Sequence, residues 1–511
     1  MLSFFLFKLL SMRNFIIFCT LFLLFSCGDA VKQKEYVSPE KLFPEIFLEG
    51  QRTGFNMAEF LDATALYKPE EINKNFEKQR SEKGFSFNEF FKLNFRKNTG
   101  NNIYTQKVNS SEDLIFYVEK ALGSLKRFPK DDSSSLIPTR KEYYSGGPSH
   151  EEFNYFNSFI LMKAFLENHK IEEAENLLLN AAQFVQDYGF VPQGNRSYLL
   201  DRSNPPVFAL LVAEMAKHKP DILPQYASLL TKEYQFWMAA QSKEESQILA
   251  NLKNNKTYAF KKAVLMPDKN LLNRYFVSSK GVSKSFGSES GFGSQSLLTA
   301  EESNDLEGTR WNSNGKIIYP QHFLAVDLNA FLYFMEKTLS EAYREKGNPE
   351  YANSFKFLAE KRRNAFNKYF WNEKLGYYRD FNFKTLSQSE VSSSAGLWPV
   401  YLGLADKNQT SKALFFLEKH LLKQEGIADY YSINASENIF SFKSQFIGFL
   451  VAKEAKNEVL AETIRDRWLE TNLNFAKNNG KIEATYFSKA KPHQPNRIDG
   501  ALGVLSFFLK Q

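Results

Sequence analysis

Apolar residues recur at helical spacing through most of the chain. In the stretch 326–346, leucine, phenylalanine and methionine return every three or four residues, and a glycine follows at 347. The stretch 177–185 has the same spacing. The pattern predicts further helices at about 153–168, 206–217, 222–241, 350–370, 409–422, 443–456, 459–476 and 499–510. Strand-like alternation is scarce, so the chain is predicted to form an all-α fold of helical hairpins.

Two stretches interrupt the helical pattern. Residues 128–150 are rich in Pro, Ser and Gly, and residues 278–298 are rich in Ser and Gly, as in long loops. Neither has flanks that indicate an independent domain. We therefore expect one domain over 41–511, preceded by a short tether over 27–40.

Composition supports a large core and argues against a nucleic-acid partner. The chain has 511 residues, 43% of them hydrophobic, including 50 phenylalanines that we expect mainly in the core. Its formal charge of +7 is spread along the chain, without a basic cluster that contains aromatic residues.

The N-terminal residues have the pattern of an export signal. Arg13 precedes the apolar run 15–25, which is too short to favour a stable membrane span. Residues 24–27 look like a bacterial lipobox, although Phe25 is not the usual small residue, so Cys27 is predicted to carry lipid after removal of 1–26. A plain signal peptide or a membrane anchor is the alternative. The prediction places the protein in the cell envelope, at the periplasm or the outer-membrane surface.

A polar stretch with hydrogen-bond donors lies at Tyr188–Pro206. Asn195 and Arg202 stand on a predicted loop in front of an apolar helix, which suits recognition of a ligand dense in hydroxyl groups. Alternatively, Arg202 pairs with a carboxylate such as Asp201 or Glu214 and only fixes the loop.

The same stretch resembles a signature of trehalases. GNRSYLLDRSNPP at 194–206 is similar to the family's GNR-x-YYL-x-RSQPP run, and four other runs have counterparts in the same order: LLTKEYQFWM, LNRY, VDLNAFLYFMEKTL and AGLWPVYLGLA. The resemblance covers most of the chain and implies an (α/α)6 barrel with a sugar site in its mouth. It implies sugar contacts from Asn195, Arg202 and Ser203.

Trehalases are inverting glycosidases, so the resemblance also implies two catalytic carboxyl groups. One acid protonates the bridging oxygen, and one base activates water on the opposite face of the sugar. The run 302–311, ESNDLEGTRW, aligns with the family's acid motif but places Leu306 at the acid itself. Asp305 and Glu307 flank it and are the candidate acids, unless both are solvated loop charges. Glu483 aligns with the base, unless it is an exposed glutamate.

Other family signatures are altered. In GGPSHEEFNYFNSF, at 146–159, Ser149 replaces a sugar-binding arginine, and Phe156 and Asn157 replace a Trp-Asp pair. Phe156 keeps an aromatic plane, and Asn157 can still bond a hydroxyl. The signature expected near 438–447 is lost, and a loop with His493 follows the predicted base.

The sequence is consistent with three functions. The first is an inverting hydrolase of trehalose or a related α-glucoside, and the second is a degenerate lipoprotein that binds carbohydrate or a partner without hydrolysis. The third is a hydrolase of a different glycan. We expect a small carbohydrate ligand, a monomer, membrane contact through the lipid alone, and no metal or other cofactor.

Overall fold

The structure is a computed structural model. It describes residues 35–98, 104–131, 134–147, 150–240, 242–243, 257–278, 281–282, 295–305, 310–313, 316–317, 319–433, 437–488 and 497–511. No helix within these ranges is both long and apolar enough to cross a membrane.

The described chain opens with five short helices: α1 (Pro39–Leu42), α2 (Pro44–Arg52), α3 (Met57–Asp62), α4 (Pro69–Gln79) and α5 (Phe87–Asn94). Their phenylalanines form a small core of their own, which also takes in Tyr198 and Leu199. These helices therefore support the outer side of the polar stretch 188–206. Ser38 and Pro39 are already buried, so packed structure begins just before the expected tether boundary at residue 40.

The larger core belongs to helical hairpins. The helices that follow are α6 (Ser111–Leu125), α7 (Tyr155–Glu167), α8 (Ile171–Tyr188), α9 (Phe208–Ala216), α10 (Ile222–Trp237), α11 (Gln295–Glu302), α12 (Val326–Glu345), α13 (Pro349–Tyr369), α14 (Trp398–Tyr401), α15 (Lys407–Phe416), α16 (Phe442–Glu454), α17 (Glu458–Asn479) and α18 (Asp499–Phe508).

Six of these helices form an inner ring. The inner helices α7, α9, α12, α14, α16 and α18 each contact the next in this order, and α18 contacts α7, which closes the ring. Each inner helix also packs on one outer helix, which is α8, α10, α13, α15, α17 and α6 in turn. This arrangement is an (α/α)6 barrel, and the predicted all-α fold is confirmed.

Burial explains which helices face inward. The inner helices α16 and α18 are apolar on nearly every side and lie almost wholly in the core. The outer helix α8 has an apolar face toward the core and a charged face toward water. It ends at Gly189, whose φ of 82° is a conformation that glycine adopts without strain.

Short strands join the helices. They are β1 (Thr64–Ala65), β2 (Phe95–Arg96), β3 (Lys126–Arg127), β4 (Tyr143–Tyr144), β5 (Tyr258–Phe260), β6 (Ala263–Leu265), β7 (Leu271–Asn273), β8 (Asn312–Ser313), β9 (Lys316–Ile317), β10 (Phe323–Leu324), β11 (Trp371–Asn372), β12 (Tyr377–Tyr378), β13 (Phe381–Asn382), β14 (Ser387–Gln388), β15 (Ser392–Ser393), β16 (Leu422–Lys423), β17 (Gly426–Ile427), β18 (Tyr430–Tyr431), β19 (Ile439–Ser441) and β20 (Thr485–Phe487). The antiparallel pairs β15–β18 and β19–β20 lie beside the barrel's cavity.

Candidate active site

A cavity of about 80 Å³ lies where several inner helices begin. It is lined by Phe156, Pro205, Ser303, Asn304, Asp305, Arg310, Asp327, Ser393, Ser394, Ala395, Trp398, Asp429, Tyr430, Ser441, Lys443, Ser444 and Ile447. The lining combines carboxylates, two cations, serine hydroxyls and three aromatic rings. Such a mixture suits a small polar ligand with hydroxyl groups.

The end of helix α11 places Asp305 in this cavity. The N–H of Asn304 donates to Glu301 O at 2.9 Å and the N–H of Asp305 to Ala300 O at 3.2 Å, the bond pattern of a Schellman cap. Asn304 occupies the left-handed region with φ of 59°, which asparagine tolerates better than most residues. The cap therefore turns the chain so that Asp305 directly follows the left-handed residue Asn304.

Buried ion pairs hold both ends of the loop that carries Asp305. Before it, Glu302 is buried against Lys262 and accepts the N–H of Ser203 at 3.1 Å. After it, Arg310 donates to both oxygens of Asp327, at 2.9 and 2.7 Å, and to Asp380 at 2.8 and 2.7 Å. The ends of the 302–311 run thus serve as anchors, and Asp305 between them lines the cavity.

The surroundings of Asp305 shift its carboxyl toward the protonated form. Its Oδ2 accepts the N–H of Arg310 at 3.1 Å, while no described residue donates to Oδ1. Burial raises its pKa above the ordinary value of 3.8, against the opposing charges of Lys443 and Arg310, and the negative charge of Asp429 adds to the rise. A raised pKa is what a general acid requires.

Besides Asp305 and Asp327, the cavity has a third carboxylate, Asp429, which the sequence interpretation missed. Its Oδ1 accepts the N–H of Ser441 at 2.9 Å, the Oγ–H of Ser441 at 2.7 Å and the Oγ–H of Ser444 at 2.6 Å. Burial raises its pKa, and Lys443 and these hydrogen bonds oppose the rise. The sequence signal is weak, because Asp429 is one of two acids shortly before the altered stretch 438–447.

Lys443 links the two carboxylates electrostatically. Its ammonium group donates to the carbonyl oxygen of Asn304, and its charge lowers the pKa of both Asp305 and Asp429. Ser441, Lys443 and Ser444 all come from the stretch where the family signature is lost. The altered stretch therefore supplies a wall of the cavity.

The structure brings Phe156 into the cavity and places Asn157 behind it. The Phe156 ring packs edge-on against Trp398, with ring centroids 5.9 Å apart. Asn157 is buried and donates through Nδ2 to Asp499 Oδ1 at 3.0 Å, and it is not among the lining residues described.

Asn195, Arg202 and Ser203 are bound to protein groups. Asn195 accepts the N–H of Phe153 at 2.9 Å and donates to the Ile137 carbonyl at 2.8 Å. Arg202 is fully buried and pairs with Asp201 at 2.7 Å and with Glu301. The Ser203 hydroxyl donates to the Val191 carbonyl at 2.7 Å.

None of the three is among the described residues that line the cavity. These contacts match the alternative in which Arg202 fixes the loop. Pro205 alone of the stretch 188–206 lines the cavity, and the helix predicted at 206–217 is α9, which begins at Phe208.

Glu483 lies between the last long helix and strand β20. Its carboxylate pairs with Lys481 at 3.1 Å, and its N–H donates to the Tyr486 hydroxyl at 3.2 Å. Within the described ranges, Glu483 is not part of the cavity wall. Its assignment as the base stays a prediction.

Several predicted positions lie outside the described residues: Cys27, Ser149, Leu306, Glu307 and His493. Of the two candidate acids, the structure therefore places only Asp305.

Comparison with known proteins identifies the barrel. A family model described as Trehalase matches residues 48–488. The chain belongs to the trehalase family. It is 29% identical over 409 residues to the periplasmic trehalase of Escherichia coli O45:K1, and the match covers 76% of this chain and 68% of the relative. The periplasmic trehalase of E. coli O9:H4 is 28% identical with the same coverage.

A solved trehalase shares the architecture. Neutral trehalase Nth1 from Saccharomyces cerevisiae superposes with a TM-score of 0.55 at 18% identity, and the match covers 75% of each chain. At 18% identity, this similarity shows that the two proteins share a fold. The chain therefore has the architecture of this trehalase, and the cavity where its inner helices begin is the candidate active site.

Proposed function

We propose that this trehalase-family protein hydrolyses trehalose or a related α-glucoside with inversion, and that Asp305 is the general acid. One observation carries the proposal: Asp305 enters the barrel cavity with one carboxyl oxygen held by Arg310 N–H and the other not bonded by any described residue. The free oxygen is available to a bridging glycosidic oxygen.

The electrostatic setting supports this role. A general acid must be protonated before the bond breaks, and the pKa of Asp305 is raised by burial and by Asp429. The aromatic planes of Phe156 and Trp398 provide apolar surface for a sugar ring in the same cavity. General acid catalysis contributes on the order of 10²- to 10⁴-fold, so loss of this proton should be easy to detect.

The proposal is tested by turnover of the purified protein. We expect glucose release from trehalose, with the anomer of the new product inverted, when a small panel of α-glucosides is followed by NMR. Asp305→Asn should lower kcat at least about 100-fold. Asp466→Asn, on the exposed face of α17, is the matched control and should retain activity. An equal kcat for wild type and Asp305→Asn would remove Asp305 from the mechanism.

A second candidate is a carbohydrate-binding protein without hydrolysis. Lys443 favours it, because an ammonium group whose charge lowers the pKa of Asp305 disfavours the protonated form that an acid needs. A protein of this kind would show trehalose-dependent thermal stabilisation and no glucose release. The turnover assay above therefore separates the two candidates.

We also propose that the protein acts in the cell envelope, with lipid on Cys27. Support comes from the export pattern in residues 13–27 and from the relatives named as periplasmic trehalases. The ligand we propose is a small carbohydrate, bound by a monomer without a cofactor or nucleic acid.

A further inference from the structure

We propose that Asp429 is the second catalytic carboxylate, the base that activates the attacking water. The inference rests on the proposed hydrolysis and assigns a role for which the sequence indicated Glu483. Asp429 lines the same cavity as Asp305, and the two carboxylates are close enough for the charge of Asp429 to raise the pKa of Asp305.

The hydrogen bonds of Asp429 orient its carboxylate. All three bonds, from Ser441 N–H, Ser441 Oγ–H and Ser444 Oγ–H, reach Oδ1. No described residue donates to Oδ2. One oxygen therefore fixes the carboxylate plane, and the other can accept a proton from water.

The backbone of Asp429 is fixed as well. Its N–H donates to the Ile439 carbonyl at 2.7 Å, and its carbonyl accepts the N–H of Ser394 at 2.8 Å. Ser394 itself lines the cavity. Main-chain bonds to both sides hold the carboxylate in place, which a base needs in order to meet a water molecule in one geometry.

The two aspartates differ in a way that separates acid from base. Hydrogen bonds to an ionised carboxylate favour its charged form. Asp429 accepts three such bonds, whereas Asp305 accepts one, from the Arg310 N–H. Burial raises the pKa of both aspartates, and a larger number of hydrogen bonds opposes the rise at Asp429. Asp429 is therefore the better candidate for the carboxylate, and Asp305 for the carboxylic acid.

The proposed hydrolysis moves one proton at each aspartate. A water oxygen attacks the anomeric carbon and forms the new C–O bond, while its proton passes to Asp429 Oδ2. The bond from the anomeric carbon to the bridging oxygen breaks, its electron pair stays on that oxygen, and the oxygen takes the proton of Asp305. The products are two sugars, and proton exchange with solvent restores both aspartates.

A substrate that needs no acid distinguishes the two roles. Fluoride leaves α-glucosyl fluoride without protonation, so Asp305→Asn should hydrolyse it within about 10-fold of wild type. Asp429→Asn should lose at least about 100-fold in kcat on both the fluoride and trehalose. The asparagine Oδ1 can still accept the bonds from Ser441 and Ser444, and an unchanged melting temperature would verify the fold.

Azide rescue provides a readout that a purely structural residue would not show. In Asp429→Ala, azide can enter the space of the carboxylate and attack the anomeric carbon of α-glucosyl fluoride as fluoride leaves with its electron pair. We expect recovered turnover and a β-glucosyl azide product.

Two variants at exposed carboxylates serve as controls, and a Glu483 variant tests the alternative base. Asp466→Asn and Glu373→Gln change exposed carboxylates and should behave as wild type. If Glu483→Gln abolishes fluoride hydrolysis and Asp429→Asn does not, the role of Asp429 is overturned while the hydrolase function stands. A wild type that hydrolyses neither substrate overturns the hydrolase function, and the role of Asp429 with it.

Discussion

At the scale of single residues, the run 302–311 contains residues that hold the loop in place and one residue that we propose takes part in the reaction. Glu302 and Arg310 are buried in ion pairs that hold the loop, and Asp305 between them faces the cavity. The sequence indicated Asp305 and Glu307 as candidate acids, and the structure places Asp305 in the cavity. It could not indicate Asp429, because the meeting of these two aspartates depends on the barrel joining segments more than a hundred residues apart.

The turn at Asn304 offers a residue-scale prediction. Its φ of 59° suits asparagine or glycine and is strained for a β-branched residue. Asn304→Val should lower the free energy of unfolding by about 1–2 kcal/mol and displace Asp305, whereas Asn304→Gly should leave stability within about 0.5 kcal/mol. Thermal melts and kcat on the same samples would check this. Equal stability of the two variants would contradict the assigned role of the cap.

At the scale of secondary-structure elements, the sequence predicted the positions of these helices well, but it located their ends less accurately. The stretch predicted as 443–456 is helix α16, Phe442–Glu454. The stretch predicted as 222–241 ends earlier, at Trp237, because Ala239 adopts a left-handed φ of 52°. Alanine is a strong helix former, so nothing in the local sequence marks this end. The predicted helix 409–422 likewise changes at Leu417 into a π-helical turn.

The packing of α10 against α7 gives a pH prediction. Glu233 on α10 is buried and accepts the hydroxyl of Tyr155 on α7 at 2.7 Å. Burial raises its pKa from 4.5 to about 8. Between these values the unfolded chain loses this proton while the folded protein keeps it, so this group's contribution to stability falls as pH rises from 4.5 to about 8.

Glu233→Gln mimics the protonated carboxyl and should remove this pH dependence. Relative to wild type, the variant should gain at most about 1.4 kcal/mol per pH unit across that range. Denaturant unfolding at several pH values measures the difference, with Glu458→Gln on the exposed start of α17 as the control. Parallel stability curves for wild type and Glu233→Gln would show that Glu233 is ionised in the folded protein.

At the scale of the molecule, the retained and altered parts of the family pattern have separate roles. Asn195, Arg202 and Ser203 bind neighbouring segments and are not among the described lining residues, so a barrel can keep this signature for its architecture alone. The altered stretch 438–447 contributes directly to the cavity wall. Family membership is shown by the match over residues 48–488, whereas the activity that we propose depends on the cavity wall.

The position of the barrel in the cell gives the last prediction. If Cys27 carries lipid, about twelve residues separate it from α1 at Pro39, and an extended chain of that length spans at most about 40 Å. The barrel would then stay near the membrane, since each buried methylene of a lipid contributes about 0.8 kcal/mol to anchoring. Cys27→Ser should move the protein to the soluble fraction without changing kcat. Cys19→Ser, within the predicted signal, should remain with the membrane. A Cys27→Ser protein that still requires detergent for release would instead indicate that the apolar run 15–25 is retained as an anchor.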